Sequence, residues 1–443
     1  MRVVAGLLVA VVCAAGGASD VRSANFATLV GHGGPVRSVT VSADGRFAAT
    51  TSFDNSAGLW EIASARRLGW LEGHEAAVNA AAFTPDGRRL VTAGDDFDLR
   101  VFDVATGEPI HRLEGHRGKL LSVAVAPDGA TVASAGWDGR IGLWDIASGK
   151  RLAFLDGHRS NVNSVVFSGD GRTLWSASYD GTIRRWDVAR RAFDRIAVRH
   201  GFGVNLLALN ETAGWLAYGA VDGVVRIIDL DTGIEIADIT SGRQPVLGLA
   251  LSRDCTRIAV SDGEGWIHIL STESWTTIRE FHAVARGPIW GLAFADDGER
   301  LISAGIDDHA SIWPVSTACS VAESDQPLPF KRRAGLSNGE GHFVRKCSIC
   351  HSLEPDGARR AGPTLYGLFG RPAGTVADFA YSDALAGADI VWNEQTIDSL
   401  FDLGPDHYTP GSKMPMQRIQ SRADRADLIA FLKEATRPKG ETP

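Results

Sequence analysis

Apolar and polar residues alternate in short runs through most of this chain. Between residues 122 and 144 the runs are Ser122 to Val125, Thr131 to Ser134 and Arg140 to Trp144, separated by the turn pairs Asp128-Gly129 and Asp138-Gly139. Period-two alternation predicts strands with one covered face, and Asp-Gly between them predicts hairpins. The pattern then recurs. His32, His74, His116, His158 and His200 lie 42 residues apart, and Trp60, Phe102, Trp144, Trp186, Ile228 and Leu270 keep the same register, with Trp313 one residue late. An acidic residue stands six positions before each: Asp54, Asp96, Asp138, Asp180, Asp222, Glu264 and Asp307. Seven units of antiparallel strands are predicted, each burying its apolar face on its neighbours.

With Gly-His near the start of a unit and Trp144-Asp145 or Trp186-Asp187 near its end, residues from about 25 to 317 resemble the WD-repeat family of β-propellers. That resemblance implies seven four-stranded blades in a ring. The last unit stops after a third strand at Ile312 to Val315, and an extra strand, Phe26 to Val30, precedes the first Gly-His. The N-terminal strand is therefore expected to complete the seventh blade and hide both open edges. The histidines are expected to serve structure rather than a metal, because their spacing puts one in each blade. In blades three and four, His116, Ser134, Asp138 and Trp144, then His158, Ser176, Asp180 and Trp186, match the family's within-blade hydrogen-bond network. Blades five and six depart from it, with Ile228-Asp229 in one and Glu264, Leu270 and Ser271 in the other. No nucleophile elbow, His-Glu-x-x-His or phosphate-cradling loop is present.

The ends read differently. Arg2 is followed by an apolar run from Val3 to Ala15 and by small residues Gly16 and Ala18, the form of a secretory signal over residues 1–18. An uncleaved anchor or a lipid on Cys13 are the rival readings, although the run is shorter than the roughly 20 residues of a spanning helix. No stable membrane insertion is expected once the signal is cleaved. Residues 25–318 form the expected propeller, and residues 319–333, with Pro327, Pro329 and Lys331-Arg332-Arg333, read as a solvated linker. A second domain is expected over 334–437, with a tail at 438–443.

That domain carries Cys347-Ser348-Ile349-Cys350-His351, the pattern of covalent c-type haem attachment: two thiols add to the porphyrin vinyl groups and the adjacent His reaches the iron. A zinc site would need a second nearby pair, and a redox dithiol leaves His351 unexplained. A relay haem also needs a sixth ligand. The chain has three methionines, two of them in Pro410-Gly411-Ser412-Lys413-Met414-Pro415-Met416. From Gly339 to Leu432 the domain resembles the small soluble cytochromes c of mitochondria and bacteria. The resemblance implies one covalent haem c held by Cys347, Cys350 and His351, with Met414 as axial ligand ahead of Met416 and His407. It implies that Gly339 and Phe343 cross Leu428 and Phe431, that the Pro363 carbonyl accepts the His351 Nδ1 proton, and that Arg371, Tyr381 and Trp392 surround the haem propionates. An extra residue near Leu403-Gly404 puts Leu400 or Phe401 where relatives often place a tyrosine beside the axial sulfur.

Charge limits partners. The net charge of -8 and pI near 5.9 exclude a nucleic-acid binder. Residues 334–443 hold 12 basic and 14 acidic side chains, so no lysine excess steers this domain toward acidic partners. Cys255 and Cys319 are expected either to pair or to remain buried thiols. Together these features predict a periplasmic single-electron carrier whose redox partners are unnamed and whose propeller is a docking scaffold, without substrate chemistry of its own. The alternative is a multi-cofactor oxidoreductase whose propeller binds a substrate and passes electrons to the haem.

Overall fold

The computed structural model describes residues 27–240, 244–284, 287–315, 337–348, 351–355, 362–377, 379, 381, 383–409, 414, 419 and 421–438. The expected signal, the linker, Cys319, Cys350, Met416 and the tail beyond Pro438 lie outside them.

Between residues 27 and 315 the described residues form seven four-stranded antiparallel sheets. Blade three consists of Leu120–Val125, Thr131–Gly136, Ile141–Asp145 and Lys150–Leu155. Its second strand is covered from Val132 to Gly136 because it is flanked within its own sheet and by the next blades. Its outermost strand is exposed at Lys150 and Arg151 and becomes buried only at Leu155. The departing blades five and six keep the same four-stranded order. Each innermost strand begins with a register shift, from Val36/Ser38 in blade one to Ile289/Gly291 in blade seven. In three blades the residue between is an asparagine that reaches the next blade: Asn79, Asn163 and Asn205 donate to the carbonyls of Leu120, Val204 and Val246. A bulge aims the side chain sideways, and here the amide joins adjacent sheets.

Ring closure is as expected. Ala27–Val30 pairs antiparallel with His309–Pro314, Val30 opposite His309 and Ala27 opposite Ile312, and completes the sheet of Ile289–Ala295 and Arg300–Gly305. Leu29 is fully buried in the core this pairing creates. Cys255 departs from the expected buried thiol. It sits partly exposed in a hairpin turn at φ 58°, where equivalent turns carry Gly129 and Gly171.

The C-terminal region is helical: α1 (Asn338–Lys346), α2 (Asp383–Ala386), α3 (Glu394–Leu403), α4 (Pro405–Tyr408) and α5 (Arg422–Ala435). Side chains of Ser337, Asn393 and Ser421 cap the amides that open α1, α3 and α5. Helix α1 crosses α5 where the sequence suggested. A Cβ on Gly339 would collide with the Asp427 carbonyl, and Phe343 meets Phe431 with ring centroids 5.5 Å apart. Arg425 of α5, almost fully buried, reaches Asp398 at 2.7 Å, Asp402 at 2.9 Å and the Ile419 carbonyl at 2.8 Å, which ties α5 to α3. Among the described residues, no helix is long and apolar enough to cross a membrane.

Candidate functional site

The end of α1 positions the first site residues. The Cys347 amide donates to the Phe343 carbonyl, and the Cys347 carbonyl accepts from the His351 amide at 2.9 Å, a bond spanning four residues. Four residues is one helical turn, which brings Cys347 and His351 to one side. His351 Nδ1 then bonds the Pro363 carbonyl at 2.7 Å, as expected. Since a carbonyl only accepts, the proton sits on Nδ1 and the Nε2 lone pair is left for a metal. Burial holds this imidazole below its ordinary range, against the raising effect of the Pro363 bond. Gly362 makes the approach feasible, because a Cβ there would overlap the ring.

The pocket walls are apolar. Cys347, Leu368, Ile397, Leu400, Phe401 and Ile419 form one buried cluster with Leu428 and Leu432 of α5, and Met414 packs against it. Leu400 and Phe401 are buried and carry no hydroxyl. Tyr408 of α4, which sequence reasoning passed over, joins the same cluster. Its signal in the sequence was only its place six residues before Met414.

A short bridge, Pro372 to Val391, draws together the residues expected near the propionates. The Trp392 amide donates to the Arg371 carbonyl, and the Gly370 amide donates to that of Trp392. The Arg371 guanidinium donates to the Tyr366 and Thr364 carbonyls, both at 2.8 Å, which holds it beside the loop after Pro363. Tyr381 accepts from the Val376 amide at 3.3 Å, and burial pushes its phenol up. The donor set fits a haem: a buried thiol, an imidazole with one nitrogen free, a thioether in the same apolar cluster and a guanidinium at the rim.

The propeller histidines do something else. His116 Nδ1 lies 2.9 Å from Asp138 and Nε2 2.8 Å from the Ser134 hydroxyl, which also accepts from Trp144 Nε1 at 2.9 Å. His158, Asp180, Ser176 and Trp186 repeat this. Blade one has the network with Thr50 in place of Ser, and blade two keeps His74, Asp96 and Thr92 with Phe102 in place of Trp. In blade five Tyr218 occupies the Ser position. His200 there faces Asp222 with Nε2 instead of Nδ1. Each ring is spent within its own blade, and no cluster of three His, Cys, Asp or Glu able to hold a metal occurs among the described residues.

Comparison with known proteins agrees with this division. The cytochrome c family profile matches residues 336–436, the IFT122 first beta-propeller profile matches 77–326, more than half of the chain, and a WD domain, G-beta repeat, matches 24–61. Cytochrome c of Chlamydomonas reinhardtii is 46% identical over 101 residues, covering 23% of this chain and 89% of the relative. Those of Theileria parva and Sesamum indicum are each 42% identical, over 100 and 103 residues, covering 23% of this chain and 85% and 90% of the relatives. The chain belongs to the cytochrome c family, joined to a WD-repeat propeller. As a cytochrome c, it is an electron-carrying protein with covalently bound haem c, and electron transfer requires redox partners. In this cytochrome the pocket-forming helices are the minor part of the chain, and the propeller strands the larger part.

Proposed function

We propose that this cytochrome c carries single electrons in the periplasm through one haem, attached at Cys347 and Cys350 and ligated by His351 and Met414. The observation that carries the reading is the His351 Nδ1 bond to Pro363, which fixes the tautomer and aims Nε2 at a ligand. Bound haem iron, cycling between two oxidation states, would supply the electron. The chain's own residues orient the imidazole and exclude water with Leu368, Leu400 and Phe401, and the Met414 thioether, packed against the same apolar cluster, would be the second side chain to hold the iron. Arg371, Tyr381 and Trp392 would meet the propionates. The leader-like N-terminus supports the periplasmic address, because bacterial c-type haem is attached outside the cytoplasmic membrane.

The propeller would dock the electron donor or acceptor. Trp137, Tyr179 and Phe202 are 46%, 56% and 60% exposed. Amides of Trp137 and Tyr179 pair with the loops that enter the innermost strands, and Phe202 belongs to such a loop, which places all three at one end of the ring. Exposed aromatics at one end suit a protein interface. Lys119, paired with Asp95, lies 5.6 Å from the Trp137 ring centre.

A haem c assay and the Met414→Ala variant test the ligand set. One haem per chain and loss of the methionine-to-iron charge-transfer band on substitution are expected. An unchanged band would show that another residue ligates the iron.

A further inference from the structure

Arg425 lies on α5 with only 6% of its surface exposed, although a side chain of this kind ordinarily keeps its charged head in water. Burying a guanidinium is costly unless its donors find acceptors, and here the fork finds three. Nε donates to Asp398 at 2.7 Å, and one terminal nitrogen lies 2.9 Å from Asp402 and donates to the Ile419 carbonyl at 2.8 Å. Both aspartates belong to α3. Ile419 is itself buried, and its amide donates to the Phe401 carbonyl of α3 at 2.9 Å. Both backbone groups of one residue are thus occupied, one by α3 and the other by a side chain of α5.

Joining two helices does not require this arginine. Lys433 of α5 also pairs with Glu394 of α3, at the surface, where a lysine suffices. What sets Arg425 apart is its third acceptor, which belongs to neither helix. A planar fork of donors meets two carboxylates and a carbonyl at once, whereas a lysine ammonium is a point charge on a flexible stem.

Ile419 stands five residues after Met414, a length of chain that spans at most about 18 Å when fully extended. Met414 packs against the cluster that contains Ile419 and Phe401. On the other side of Met414, the buried Thr409 bonds the Pro405 carbonyl through both its amide and its hydroxyl. The segment bearing the thioether therefore leaves α4 at one fixed point and returns to the helices at another, and Arg425 makes the second. A pinned end restricts the positions open to the sulfur, so less freedom is lost when it meets the iron.

We propose that Arg425 is a positioning residue for the axial ligand: through the Ile419 carbonyl it preorganises the segment that brings Met414 to the haem iron. The proposal rests on Met414 as that ligand.

Imidazole, which competes with a thioether for haem iron, measures the hold on Met414 separately from folding. It is titrated into the holoprotein, and displacement is followed as loss of the methionine-to-iron charge-transfer band. Imidazole should bind Arg425→Gln at least about tenfold more tightly than the parent, a difference of about 1.4 kcal/mol. Arg425→Lys, which keeps the charge and loses the fork, should fall between the two. Asp402→Asn, at a half-exposed side chain where the fold is less at risk, should shift affinity in the same direction. Lys433→Gln should titrate as the parent does. A lower melting temperature in Arg425→Gln with imidazole affinity unchanged would make the arginine a purely structural tie, and an equal shift in Lys433→Gln would trace the effect to any loosening of α3 from α5; either result overturns the proposal. A parent without the band would instead refute Met414 as the ligand.

Discussion

Gly339→Ala sets two physical effects against each other. Gly339 is the second residue of α1, and in a solvent-exposed helix alanine in place of glycine stabilises by up to about 1 kcal/mol. At this position the new methyl would collide with the Asp427 carbonyl and press on Cβ of Phe431 at 2.9 Å. The first contact is backbone, so no rotamer change relieves it and the helices must separate. That separation loosens Phe343, Leu428 and Leu432, which are buried at or beside the crossing. Overpacking of this kind costs roughly 1–3 kcal/mol, so a net loss of about 1–2 kcal/mol is expected after the propensity gain. For a helical unit of about 100 residues this lowers the midpoint by roughly 5–15 °C. Thermal unfolding of the holoprotein, followed in the haem Soret band, reports this unit apart from the propeller. Equal or greater stability in the variant would refute the close helix crossing as the reason for glycine.

Two further outcomes concern the propeller. Ser134→Ala leaves Trp144 Nε1, in a side chain only 1% exposed, without its acceptor and removes the partner of His116, so a loss of about 1–3 kcal/mol is expected in denaturant unfolding followed by tryptophan fluorescence. Ser148→Ala at an exposed turn should cost under about 0.5 kcal/mol, and equal losses would refute the network's role. Acid should destabilise blade four in two stages. Burial holds His158 below 6.5, and although burial pushes the Asp180 carboxyl up, the Thr182 hydroxyl, the Arg159 amide and His158 together hold it well below the usual carboxylate range. For both groups the unfolded chain binds more protons, so stability is full above the unfolded values and falls as pH drops below 6.5 and again below 3.8. His158→Gln should flatten the upper stage, and a melting temperature that rises from pH 7 to pH 5 would contradict the sign.

The features legible in the sequence are those that local spacing determines. A 42-residue period is enough for seven sheets, and the unpaired strand before the first Gly-His implied the closure seen between Val30 and His309. Cys347 and His351 are one helical turn apart, and Gly362-Pro363 announced its own contact with the imidazole. Other features required the folded register. Thr50 and Thr92 do the work of serine because a hydroxyl at that point, 18 residues from the histidine, faces Nε2 whichever residue carries it. Tyr408 joins the haem-pocket cluster through α4, which begins after Gly404, and Val260, His268 and Glu280 come side by side in blade six only because three strands align them. Repeat period and motif spacing are properties of adjacent residues along one chain. Filling or emptying the space between two blades depends on side chains far apart in sequence, and packing in three dimensions decides it.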